Sequence, residues 1–219
     1  MTQEIYQRAA QKLIAFHREA EQRNEWTFFV DEMYAPECVY VCEYAGTMRV
    51  CANGIDEIKA THYGRDMQRG WEGWTFPYLD VYVGNEGRVV THWMNRGPGK
   101  RPDGSWFETP GISFITFSDS GRITAQFDVF DLAHQMHLCD ELEAHGLLSA
   151  ELKQNWVIPM KSKLIAMLQA NMPERGRPRR NGITVEAPGP AVSLSSPFSS
   201  SISPISRISD SDTSAVMKW

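Results

Sequence analysis

A chain of 219 residues, 42% hydrophobic and with seven Trp, is long enough for one domain with a proper core plus a tail. A formal net charge of −5, with no basic block before Asn171, argues against a nucleic-acid partner. No apolar run is long enough to span a bilayer, and Met1 to Ala20 interleaves Glu4, Arg8, Lys12, Arg18 and Glu19, so no membrane partner and a cytoplasmic location are expected.

In chain order, Gln3 to Arg23 predicts a helix: Ile5, Ala9, Leu13, Phe16 and Ala20 recur at three- and four-residue steps. Asn24 is a candidate cap for a short second helix, Glu25 to Tyr34, which Ala35-Pro36 ends. Two strands follow, Cys38 to Tyr44 and Met48 to Cys51, then a helix from Ile55 to about Arg69 with Ile58, His62 and Met67 inward and Gly70 as its stop. The four cysteines suit a reducing compartment as small buried hydrophobes, and their spacing supplies no metal site.

Four strands come next: Phe76 to Val83, Arg88 to Arg96, Gly111 to Ser118 and Arg122 to Asp131, punctuated by Gly84-Asn85-Glu86-Gly87, Gly97-Pro98-Gly99, Pro102-Asp103-Gly104 and Ser118 to Gly121. Helices grouped before strands joined by short turns imply an α+β fold with an antiparallel sheet. A four-residue turn at Gly84 would pair Asp80 with Thr91 and Tyr78 with Trp93, placing Tyr78, Asp80 and Tyr82 on the face of Trp93 and Asn95. Period two likewise groups Gln126, Asp128 and Phe130 on one face. If the two faces form one cavity, an apolar pocket holds an Asp and an Asn.

Helices are then expected over Asp131 to Ala144 and Ser149 to Asn171, with Pro159 kinking or restarting the second. Residues 172–219 hold eleven Ser and six Pro, with six Lys or Arg against four Asp or Glu, which leaves the rest of the chain at −7. That tail is expected to be disordered, because it cannot bury enough apolar area to offset chain entropy. The division is therefore 1–146 as the main domain, 147–171 as an added helix and 172–219 as tail.

The segments FPYLDVYVGNEGRVVTHWMNR, RPDGSWFETPGISFITF and GRITAQFDVFD resemble the nuclear transport factor 2-like superfamily, and within it the SnoaL-like polyketide cyclase group, over roughly Gln3 to Ala144. The resemblance implies a cone: a curved antiparallel sheet packed on N-terminal helices around an apolar cavity. It also implies a homodimer through the sheet's outer face. Its limonene-epoxide hydrolase branch uses an Asp-Arg-Asp set; laid on this chain, that set falls on Asp128, Trp93 and Asn95, so two of its three polar roles are changed. The polyketide cyclases use a single Asp, which Asp128 supplies.

A carboxylate in an apolar cavity is desolvated, so its pKa rises toward the range of an acid/base catalyst. The candidate catalytic residues are thus Asp128, with Asn95 holding an oxyanion or a water and Asp80 as a second carboxylate. Tyr78, Tyr82, Trp93, Gln126, Phe130 and His62 are candidates to bind substrate. The expected activity is cofactor-independent cyclisation or epoxide-type opening of a small hydrophobic oxygenated, polyketide-like secondary metabolite. Isomerisation, dehydration or plain ligand binding are the alternatives. His134 and His137 lie three apart on a helix but lack a third ligand, so no metal is expected.

Overall fold

The computed structural model describes residues 3–45, 48–67, 69–171 and 206–208. Helix α1 (Gln3–Arg23) buries Ala9, Leu13 and Ala20, as its periodicity predicts. Asn24 closes α1 rather than opening the next helix. It sits at φ 51°, and the Glu25 N–H donates to the Ala20 carbonyl at 2.9 Å, which ends α1 in a left-handed cap. Helix α2 (Trp26–Met33) buries Trp26, Phe29 and Val30.

Strands β1 (Tyr34–Ala45) and β2 (Met48–Asn53) form a hairpin, followed by α3 (Gly54–Ile58), which widens into a π-helical turn over Lys59–Asp66. Then come β3 (Tyr78–Val83), β4 (Arg88–Lys100), β5 (Trp106–Phe117) and β6 (Ile123–Phe130). The order is β2-β1-β6-β5-β4-β3, an open curved sheet with the helices packed against it. It is mixed rather than antiparallel, because β1 runs parallel to β6 with Tyr40 beside Gln126 and Cys42 beside Asp128. Short turns make consecutive strands antiparallel, but β1 and β6 are far apart in sequence and no turn constrains their direction.

β4 and β5 run on through the expected Gly97-Pro98-Gly99 loop to a turn at residues 101–105, where the Asp103 carboxylate accepts from the Ser105 N–H at 2.9 Å. Gly97 lets the strand press on α4, since a Cβ there would lie 2.7 Å from the Leu142 side chain. Asp131 caps α4 (Leu132–Ala144), accepting from the N–H groups of Ala133 and His134 at 2.9 and 3.1 Å. His134 and His137 are exposed on α4, and Cys51, expected inside, is exposed on β2.

The C-terminal helix is α5 (Ala150–Leu152), a π-helical turn over Lys153–Val157, and α6 (Ile158–Asn171). Pro159 has no N–H for an i−4 bond, and the wide turn just before it absorbs the loss. Within the tail, Ser206–Ile208 forms β7 against the β3 edge, with Tyr82 opposite Arg207. The rest of that segment, including the basic stretch from Arg175 to Arg180, lies outside the described residues. Among the described residues no helix is long and apolar enough to cross a membrane.

Candidate active site

Asp128 stands mid-strand in β6, 6% exposed, with Cys42 of β1 on one side of the ladder and Ser113 of β5 on the other. Gln126, two residues earlier on the same face, donates from its amide to both carboxylate oxygens at 2.9 and 3.1 Å. The Tyr40 hydroxyl donates to Oδ2 at 3.0 Å, and the Ser113 hydroxyl, opposite across the β5–β6 ladder, favours the charged form of the same carboxylate. Burial pushes the Asp128 pKa up to about 6, and the donors from Ser113, Gln126 and Tyr40 hold it from going higher.

The Gln126 carbonyl accepts from the Tyr34 hydroxyl at 2.5 Å, and Tyr34 meets the Tyr63 hydroxyl at 3.2 Å. Burial raises the pKa of all three phenols, Tyr34, Tyr40 and Tyr63, so each keeps its proton at neutral pH and stays a donor. The carboxylate thus sits at the end of a network of neutral groups.

A cavity of about 700 Å³, its mouth included, opens over this network. Trp93, Asn95, Gln126, Asp128, Phe130, Tyr78 and His62 all line it, so the two strand faces do form one wall. Asn95 is 7% exposed. The Trp93 indole lies over Gly111, its cross-strand neighbour, and its Nε1–H donates to the Ser113 hydroxyl at 2.8 Å. Trp26, Trp71 and Phe76 add aromatic walls, and Trp156 of the C-terminal helix packs on Trp71 with centroids 5.4 Å apart. That helix therefore completes the cavity instead of being an appendage.

Asp80 and Tyr82 do not belong to the site. Val83 pairs with Val89 and Asp80 with His92, one step from the expected register, and a bulge at Leu79 restores Tyr78 opposite Trp93. Val81 and Val83 are buried, while Asp80 lies 3.6 Å from the His92 imidazole on the other face. Apolar β-branched side chains claim the core side of a strand, and a one-residue shift moves every alternate residue across.

The aromatic walls Trp26, Trp71, Phe76 and Trp156 escaped the sequence reading, as did Tyr40, Ser113, His17, Tyr34 and Tyr63. Tyr40 belongs to a period-two row, Cys38, Tyr40, Cys42 and Tyr44, that could have been read as inward-facing. Ser113 is a polar residue at a core position of its strand, a usable signal. His17 lies one helical turn from Leu13 on the apolar side of α1, where the rings of Trp26, Phe29 and Tyr78 enclose it and burial lowers its pKa to about 3. It is a neutral imidazole at physiological pH. Tyr34 and Tyr63 carried no such signal.

Tyr63 and His62 are consecutive yet both face the cavity, because a π turn advances less per residue than an α turn. His62 stacks on Tyr40 with centroids 4.7 Å apart. Gly64 permits this turn, since a Cβ there would sit 2.1 Å from the Lys59 carbonyl oxygen. Gly64→Ala should cost about 1–3 kcal/mol and disturb the Tyr40–His62–Tyr63 cluster. Thermal melts with near-ultraviolet circular dichroism check it, and an unchanged aromatic spectrum would count against the role given to Gly64.

A SnoaL-like domain model matches residues 14–126, more than half of the chain and most of the cavity. The chain belongs to the SnoaL-like domain family. No curated protein sequence matches it. Solved structures similar to this SnoaL-like chain include an epoxide hydrolase of M. tuberculosis like limonene-epoxide hydrolase, 20% identical over 62% of this chain and 89% of its own, with a TM-score of 0.41. A protein of Burkholderia thailandensis described as NTF2-like is 18% identical over 61% of this chain and 95% of its own, with a TM-score of 0.45. TerC, co-crystallised with polyporic acid, is 15% identical over 61% and 97%, with a TM-score of 0.46.

Proposed function

We propose that the protein is an acid/base cyclase acting on a neutral, hydrophobic, oxygenated polyketide-like compound, with Asp128 as the proton carrier. One observation supports this above the rest: among the described residues the cavity is lined by a single carboxylate, buried and with its pKa pushed up to about 6. At neutral pH Asp128 is mostly ionised. It takes a proton from a carbon flanked by carbonyls, the resulting enolate attacks a second carbonyl, and the acid returns its proton to the new alkoxide. A carbon–carbon bond forms and no electrons are exchanged with any other species.

The same group leaves and re-enters the ionised state, so no second carboxylate is needed. Epoxide opening asks for an acid at the epoxide oxygen while a base activates water; Asp128 can fill only one of those roles, and the other two positions of the hydrolase set hold Trp93 and Asn95. Ring closure is therefore preferred to hydrolysis. Asn95 and Tyr78 are placed to stabilise the developing oxyanion, and Trp93 and Phe130 flank a planar ring system.

The test uses a hydroxyanthraquinone ester carrying a β-keto ester side chain beside a ring ketone, incubated with the full-length protein. The expected product is ring-closed and of unchanged mass, and Asp128→Asn should slow its formation by about two to four orders of magnitude. Equal rates for variant and wild type would overturn the assignment.

The outer face of the sheet supports a homodimer as part of this proposal. Val39, Ile112, Phe114 and Val129 are 40–50% exposed there, and Phe114 stacks on Phe127. Phe114→Glu should convert a dimer to monomers in sedimentation analysis; a wild-type monomer would remove this reading.

A further inference from the structure

We propose that Trp93 is a positioning residue that aims the Ser113 hydroxyl at Asp128, and that the absence of a side chain at Gly111 is what lets it do so. This rests on reading Asp128 as the acid/base group, but it is tested without turnover.

A serine hydroxyl has one proton and two lone pairs, whereas an indole N–H can only donate. The Trp93 Nε1–H occupies one Ser113 lone pair at 2.8 Å, which leaves the serine proton to be directed elsewhere. Ser113 is directly opposite Asp128 in the β5–β6 ladder, on the same cavity face, and its hydroxyl favours the charged carboxylate. A serine proton directed across that step completes a one-way chain, indole to hydroxyl to carboxylate, in which each bond polarises the next.

Trp93 is not the cross-strand partner of Ser113; that partner is Thr91. The indole reaches Ser113 only by lying along β5 across Gly111. A Cβ at Gly111 would sit 2.2, 2.4 and 2.5 Å from three ring carbons of Trp93, so any other residue lifts the ring. Phe130, the other ladder partner of Gly111, packs against the indole with centroids 6.2 Å apart. The tryptophan thus has a fixed seat, and its N–H a fixed target.

Donors to a carboxylate favour its charged form, so losing the aim of Ser113 should raise the Asp128 midpoint. Other titratable groups face the carboxylate. α1 brings His17, and β1 brings Tyr34, Tyr40, Cys42 and Tyr44. The π turn brings His62 and Tyr63, and β3 brings Tyr78. The cavity residues of β4 and β5 include Trp93, Asn95 and Ser113, none of which titrates.

The experiment follows the Asp128 carboxyl carbon by NMR in full-length protein with labelled aspartates, the signal being assigned by its loss in Asp128→Asn. His62 is followed separately by its ring signals. Trp93 is replaced by Phe and also by benzothienylalanine, which keeps the shape and removes only the N–H. Each should raise the Asp128 midpoint by about half a pH unit, about a threefold weaker acid. Gly111→Ala should act in the same direction although it removes no donor, and Ser113→Ala should shift the midpoint at least as far. Combining Ser113→Ala with the Trp93 replacement should add nothing further. An unchanged midpoint in the isostere and in Gly111→Ala, or additive shifts in the double variant, would overturn the proposal. Undiminished turnover in Asp128→Asn would instead sink the acid/base reading and leave the hydrogen-bond relay standing.

Discussion

Asp128→Asn should melt higher than the wild type at pH 8 while losing about two to four orders of magnitude in turnover. The folded-state pKa is about 6 against an ordinary 3.8, so between those values the native state binds the proton more tightly than the unfolded chain. Stability attached to this group is therefore present below about pH 4 and is lost as pH rises through about 6. A rise of that size sets a ceiling of about 3 kcal/mol. The asparagine recovers less, because its amide faces the Gln126 amide that now donates to the carboxylate. A gain of about 1–2 kcal/mol, or about 2–8 °C, is expected at pH 8, vanishing near pH 4. Asp103 and Glu141 are held below the usual carboxylate range by their hydrogen bonds and run the opposite way, so the comparison is between variant and wild type across pH. A variant that melts lower than wild type at pH 8 would mean that the buried carboxylate stabilises the fold.

Gly70→Ala should be among the most damaging single methyl additions in this chain, at about 2–4 kcal/mol. Gly70 has φ +82°, and a Cβ there would lie 2.4 Å from the backbone nitrogen of Leu152, which is fully buried. The Ser149 hydroxyl donates to the Gly70 carbonyl at 2.9 Å and caps α5, so this one point pins the C-terminal helix to the domain. Lifting that helix withdraws Trp156 from Trp71 and opens the cavity. Gly104→Ala is the control: φ +86° carries the same strain, but nothing lies within 4 Å. Melts should fall about 5–15 °C for Gly70→Ala and a third of that or less for Gly104→Ala. Equal losses would show that strain alone, without the helix contact, sets the cost.

Much of the architecture was legible because it depends on local periodicity. The bounds of α1 follow from its apolar stripe, and the Asp131 cap from the position of an Asp before an amphipathic run. The parallel β1–β6 pairing was not legible, because nothing local couples two strands so far apart along the chain. The β3 register failed for a related reason. A bulge costs little in a strand and leaves no mark in composition, yet it turned Asp80 and Tyr82 outward while keeping Tyr78 inside.

By itself the sequence determined that Asp128 shares a strand face with Gln126 and Phe130, and Trp93 a face with Asn95, since alternation is a property of any extended chain. Only the tertiary structure decided that these faces enclose one cavity with phenols from β1 and the π turn. It also decided that an indole lying over a bare glycine reaches a serine one ladder step away. Hydrogen-bond geometry depends on positions fixed to a fraction of an ångström, which packing among remote elements sets and a linear pattern does not carry.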